Sequence, residues 1–150
     1  MLIADGARLA AQAARVLKSD GNGATQLLGT ELWSGEGSVT RASALRGAWF
    51  SAVSDNRYKR FVDSYEARFG SQPYRIATLG YDAVLLTLRV AQDWRVGRDF
   101  PTGQLRDDDG FLGLDGAFRF GDYGLVERAF EVREVRNGSV AVVENAPSRF

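Results

Sequence analysis

Apolar residues recur along this chain with two different periods. Leu2-Ile3-Ala4 is a short apolar run that stops at Asp5-Gly6. Leu9, Ala13, Val16 and Leu17 then fall at helical spacing, while Arg8, Gln12, Arg15 and Lys18 take the opposite face. The pattern predicts a strand, a tight turn and a helix. Asp20-Gly21-Asn22-Gly23 stops that helix, and residues 25–32 read as a second buried strand ending near Gly29-Thr30-Glu31-Leu32-Trp33. Strand, helix, strand in this order is the parallel crossover unit. Residues 34–38 are small and polar and predict a loop, residues 39–45 a helical turn, and residues 48–53 an extended segment.

Ser54 is placed to cap a helix on which Tyr58, Phe61, Val62, Tyr65 and Phe69 form one stripe, closed by Gly70. The stripe reads as core. After Pro73, residues 76–94 predict a second long helix, apolar on nearly every side and therefore expected to be sandwiched between layers. Residues 99–109 predict a loop with a short helix over 103–106. Residues 113–120 alternate as a strand that meets a turn at 121–124. Residues 127–135 and 139–144 flank Asn137-Gly138, a dipeptide that tolerates positive φ at both turn positions and so predicts a type I′ hairpin. The expected fold class is α/β, with a parallel start and an antiparallel C-terminal third. No internal repeat interrupts this order.

Composition narrows the chemistry. The 150 residues are 45% hydrophobic and 25% charged, which suits a compact core. Nineteen basic and nineteen acidic side chains cancel, so no net field draws the chain to nucleic acid or an anionic membrane. No apolar run approaches the ~20 residues needed to span a bilayer, and Asp5 and Arg8 break any signal-peptide layout at the start; solubility is the expectation. Cysteine and histidine are both absent. That removes the usual zinc ligands, the usual general base near neutral pH and Ser-His or Cys-His nucleophiles. The two lysines, Lys18 and Lys59, sit on polar helix faces, so no catalytic group, cofactor or metal is expected. Asp107-Asp108-Asp109-Gly110 resembles a calcium loop, but counting from Asp107 puts Phe118 at the twelfth position, where a carboxylate is required. Gly21, Gly23, Gly35 and Gly37 match neither a P-loop nor a dinucleotide turn.

Several segments in order carry a family resemblance. They are Gly29-Thr30-Glu31-Leu32-Trp33, Gly47-Ala48-Trp49-Phe50, the run from Phe61 through Tyr65 and Arg68-Phe69-Gly70 to Pro73, Gly80-Tyr81-Asp82-Ala83-Val84, and the Gly113, Gly116, Phe118, Phe120, Gly124 series. Together they resemble the C-terminal part of type I periplasmic binding proteins, in the branch that includes branched-chain amino-acid-binding proteins and activators of penicillin-binding proteins. The resemblance implies a truncated three-layer α/β fold. Residues 1–47 would be a βαβ portion of the C-terminal lobe. Residues 48–112 would supply a crossover strand and helices packing toward an absent N-terminal lobe, and 113–150 a β-rich end. Met1 reads as a start other than the native one, such as an internal start or a misplaced gene boundary, and Ala146-Pro147-Ser148-Arg149-Phe150 as a natural end. Apolar surface orphaned in this way tends to be covered by association, so a homodimer, with or without exchanged elements, is expected.

In parallel sheets, ligands bind beyond the carboxyl ends of the strands. Asp5 follows the first strand, and Glu31, Trp33 and Ser34 follow the second. In relatives that bind amino acids, an acidic residue after the equivalent strand pairs with the ligand ammonium, and the resemblance places Glu31 there. The alternatives are a solvated Glu31, a Trp33 used in packing and an Asp5 that caps the following helix. Tyr81 and Asp82 match a family tyrosine-aspartate-alanine motif. They are expected at the lobe boundary, Asp82 near the positive end of its helix and Tyr81 satisfying a hydroxyl partner. The resemblance implies a periplasmic or envelope parent that binds a small solute and meets a membrane permease, or one that contacts a peptidoglycan synthase.

Overall fold

The computed structural model describes residues 1–21 and 24–150. Asn22 and Gly23, half of the proposed helix stop, lie outside the described residues. The chain forms two compact units, one of Met1–Val53 with Phe130–Asn145, the other of Ser54–Ala129 with Ala146–Phe150. The chain passes from one unit to the other at Val53–Ser54, Ala129–Phe130 and Asn145–Ala146.

The first unit is a five-stranded sheet. Strands β1 (Leu2–Ile3), β2 (Leu28–Gly29) and β3 (Trp49–Ala52) are parallel, and β7 (Glu131–Val135) and β8 (Val140–Glu144) extend it antiparallel in the order β1-β2-β3-β7-β8. Helix α1 (Ala7–Ser19) makes the β1-to-β2 crossover, as expected. Its packing face differs from the expectation. Ala7, Ala10, Ala11 and Ala14 are buried, whereas Leu9 and Val16 are exposed. The alanine stripe wins because side chains without bulk let the helix lie close to the sheet and to the short helix α2 (Gly37–Arg41) and the 3₁₀ turn Ser43–Leu45.

Strand β2 is shorter than predicted, because the chain turns into a 3₁₀ segment at Glu31–Trp33. Trp33 causes the turn's placement. Its ring is 1% exposed, lies 5.8 Å from the Phe50 ring centroid, and donates from Nε1 to the Asp5 carbonyl at 2.9 Å. It also occupies the space above Gly29, where an added Cβ would stand 2.5 Å from three ring atoms.

The second unit holds helices α3 (Asn56–Phe69) and α4 (Ala77–Val90) and a three-stranded antiparallel sheet, β4 (Phe111–Gly113), β5 (Gly116–Phe120) and β6 (Val126–Arg128). Gly70 ends α3 as expected, its N–H donating to the Glu66 carbonyl at 2.8 Å. The start shifts by one: Asp55 is the N-cap, and the Ser54 hydroxyl accepts the Asn56 N–H at 3.4 Å. Two expectations fail. The aromatic stripe of α3 is not core, since no residue of that helix is buried. Helix α4 is not sandwiched: only Thr78, Asp82 and Val90 are buried along it. Helical period reports which faces want a partner, not whether the chain supplies one.

The predicted strands at 113–120 and 127–135 each divide. Leu114-Asp115 turns β4 back into β5, and the break at 129–130 sends β6 and β7 into different sheets. The Asn137-Gly138 hairpin forms, with Arg136 N–H donating to the Ser139 carbonyl at 2.9 Å. It is not type I′, because Gly138 alone has positive φ, +74°, and Asn137 does not. The short helix foreseen at 103–106 is a 3₁₀ turn, Thr102–Leu105. Among the described residues, no helix is long and apolar enough to cross a membrane.

The fit of Trp33 over Gly29 gives a direct test. Gly29→Ala must push the indole off its seat, and overpacking of this kind costs about 1–3 kcal/mol. Urea unfolding followed by tryptophan fluorescence should show a lower midpoint; an unchanged midpoint would mean the indole is not wedged there.

Candidate functional site

Parallel pairing puts the carboxyl ends of β1, β2 and β3 at one edge of the first unit. The register Leu2 with Leu28 and Ile3 with Gly29 sets Asp5 and Glu31 two residues beyond the last paired positions of adjacent strands. Both side chains are exposed. Asp5 does not cap α1. Gly6 is the N-cap residue, no side chain caps the helix, and the Asp5 carboxylate accepts the Gly6 N–H at 2.6 Å. Glu31 opens the 3₁₀ turn, and its carbonyl accepts the Ser34 N–H at 2.8 Å. Ser34 is half-buried beside it.

Trp33 departs from the ligand-facing reading. The indole points into the core, and its bond to the Asp5 carbonyl ties the loop after β1 to the loop after β2. It positions the two carboxylates without presenting a surface of its own. Thr30, next to Glu31 in the chain, has a buried hydroxyl oxygen without a hydrogen-bond partner among the described residues.

Sequence reasoning missed a pair at the same edge. Ala52, at the end of β3, stands opposite Glu131 at the start of β7. Glu131 and Arg133 are both buried and meet at 2.6 Å, and Arg133 also donates to the Val53 carbonyl at 2.9 Å. The signal was the alternation Glu131, Arg133, Val135, which puts two opposite charges on the buried face of one strand.

Tyr81 and Asp82 lie in the second unit, and Asp82 serves its interior. Asp82, five residues into α4 rather than at its positive end, is buried and receives the Leu114 N–H on both carboxylate oxygens at 2.9 and 3.0 Å. A Cβ on Gly113 would collide with that carboxylate, so the β4–β5 turn can seat on α4 only with glycine there. Beside it, buried Asp115 receives Thr78 Oγ1 at 2.7 Å and pairs with Arg75 at 2.7 Å. The Arg75 guanidinium lies 3.9 Å from the centroid of the Tyr58 ring, which ties α3 into the same network. Tyr81 interacts through its ring, 5.2 Å from Phe61, and is partly exposed. Asp107 Oδ1 accepts the Asp109 N–H, and among the described residues no three carboxylates converge as a metal site.

Burial pushes the Asp82 carboxyl above the ordinary carboxylate range, and the neighbouring Asp115 charge adds to this, against the pull of the Leu114 N–H and of Arg128. A proton is therefore held more tightly in the folded chain than in the unfolded one. The stability from this group is full below the unfolded pKa and is lost as pH rises through the folded value. Asp82→Asn keeps an acceptor for Leu114 and removes the titration, so its stability relative to the parent should rise as pH climbs above the ordinary carboxylate value of about 3.9. Asp82→Ala strands the Leu114 N–H and should cost about 1–3 kcal/mol. Urea titrations across that range decide it; a pH-independent difference for the Asn variant would remove the burial argument.

No family model and no curated protein matches the chain. Solved structures do. A putative branched-chain amino acid ABC transporter protein from Rhodospirillum rubrum matches 93% of this chain over 42% of its own, at 25% identity and TM-score 0.72. The leucine-binding protein LivK from Thermotoga maritima matches 97% over 43%, at 23% identity and TM-score 0.59. LpoA from Haemophilus influenzae matches 96% over 26%, at 18% identity and TM-score 0.63. The chain thus spans less than half the length of each of these structures, and across that span its fold is the type I periplasmic-binding-protein fold.

Proposed function

We propose that the chain is the C-terminal part of an extracytoplasmic solute-binding protein, and that it acts by binding and not by catalysis. The solute class is an amino acid or a similar small polar molecule bearing an ammonium group. The observation that carries this reading is the pair of exposed carboxylates, Asp5 and Glu31, at the carboxyl edge of adjacent parallel strands. An ammonium held there in a partly desolvated cleft makes a charge-assisted contact. Ser34 and the unpartnered Thr30 hydroxyl would supply neutral hydrogen bonds beside it. Trp33 keeps the two loops in register. The ligand would be delivered to a membrane permease by a parent located in the periplasm or envelope.

A second reading draws on the LpoA match. In it, the parent is an envelope regulator that touches a peptidoglycan synthase, and the edge at Glu31 contacts protein in place of solute. Ligand response separates the two.

In the longer parent polypeptide, a panel of amino acids should raise the melting temperature, because a ligand at a hundredfold its Kd adds about 2.7 kcal/mol. Glu31→Gln should abolish the rise while leaving the unliganded melting temperature unchanged. The 150-residue chain alone should show no shift. A parent indifferent to every amino acid, or a Glu31→Gln variant that binds normally, would discard the solute reading.

A further inference from the structure

The second unit builds a pocket entirely from its own residues. It opens between α4 and β5, has a volume of about 310 Å³, and is walled by Leu79, Leu86, Phe100, Leu105, Phe118 and Phe120. That is the lower end of the size range of small-molecule sites, with the apolar lining such sites have. The residues α4 gives to it, Leu79, Asp82, Ala83 and Leu86, fall at i, i+3, i+4 and i+7. This is the helix face that meets β5, not the face that carries Tyr81, Val84 and Leu85 toward α3.

Three polar side chains interrupt the lining. Two are already engaged. Both oxygens of Asp82 hold the Leu114 N–H, and the Thr87 hydroxyl donates to the Ala83 carbonyl at 2.8 Å. The third, Arg128, is half-buried on β6 and has spare donors. A guanidinium carries five N–H groups; here Nη1 donates to the Asp115 carbonyl at 3.2 Å, and no carboxylate of the described residues forms an ion pair with it. The nearby Asp115 carboxylate is taken by Arg75 and Thr78. The Arg128 guanidinium carbon lies 5.2 Å from the Phe118 ring centroid, so the charge stands against the aromatic wall of the pocket.

We propose that this pocket binds a small carboxylic acid with an apolar body, its carboxylate paired with Arg128 and its hydrocarbon lying among Leu79, Leu86, Phe118 and Phe120. The guanidinium fork matches a carboxylate in shape and charge, and the wall rewards burial of hydrocarbon. Burial favours the neutral form of Asp82, which softens its opposition to an anion. An amine in the same place would meet the Arg128 charge, with the Asp82 oxygens already committed to Leu114. The inference uses neither Asp5 nor Glu31 and does not rest on the solute-binding reading.

Isothermal titration calorimetry of the 150-residue chain with hexanoate should give one site per chain. Hexylamine keeps the hydrocarbon and reverses the charge; acetate keeps the charge and lacks the hydrocarbon. Each should bind about tenfold or more weakly than hexanoate. Arg128→Gln should weaken hexanoate by about tenfold or more. Ala83→Phe, at an exposed helix position, should block the pocket by filling it. Circular dichroism checks that both variants fold; if either does not, the three ligands on the unaltered chain still decide. Absence of hexanoate binding, hexylamine binding as well as hexanoate, or full hexanoate binding by either folded variant would overturn the proposal.

Discussion

The indole of Trp33 fills the space that Gly29 leaves, stacks at a tilt on Phe50 and bonds the carbonyl of Asp5. One side chain thereby touches the ends of β1 and β2 and the middle of β3. Strands β1 and β2 contribute only two residues each, so their ladder alone holds little. A buried aromatic that brings a large apolar area and a satisfied N–H supplies what the ladder lacks. Without it, the two loops that carry Asp5 and Glu31 would have no common anchor.

The second unit is organised the other way, around polar groups. Thr78, Asp82 and Asp115 are buried beside Val90, Phe111 and Phe118, while Leu79, Leu85 and Leu88 of α4 are exposed. Such a network holds structure together because each buried carboxylate is matched by a donor, and it offers a unique seat for the β4–β5 turn. A surface pocket of about 310 Å³ opens among Leu79, Leu86, Phe118, Phe120 and Val126.

This contrast explains which parts of the structure could be read from the chain. Period and turn residues identified α1, α3, α4 and the last hairpin, because those signals are local: an apolar repeat for the helices, Gly70 at the end of α3, Asn137-Gly138 between β7 and β8. What could not be read was non-local. Nothing in the period of α1 says that alanines and not Leu9 and Val16 meet the sheet, because that depends on how close the partner lies. The reversal at Leu114-Asp115 has a local signal in the turn dipeptide Asp115-Gly116, with Gly116 at φ +92°, but its seat is non-local, because Asp82, thirty-two residues earlier, holds it there. At the carboxyl edge, strand ends and charge single out Asp5 and Glu31 as candidates, and both side chains are exposed there. Trp33 was legible as an aromatic beside them, yet its orientation is set by the hole over Gly29.

The Glu131–Arg133 pair bears on what the sheet edge can attract. Arg133 is the cation buried near that edge, and its charge is met by Glu131 at 2.6 Å with its guanidinium also bound to the Val53 carbonyl. A buried pair so closely matched projects little field, and its worth is in fixing β7 against the end of β3. The local potential is then left to the exposed carboxylates of Asp5 and Glu31, which no ion pair among the described residues neutralises. An edge of this kind favours a cation over an anion at contact distances, where screening by salt is weakest. The polarity of the site therefore follows from topology: parallel strands gather their carboxyl ends, the sequence places one acid after each of two neighbours, and the arginine that would have offset them is already paired inside the sheet.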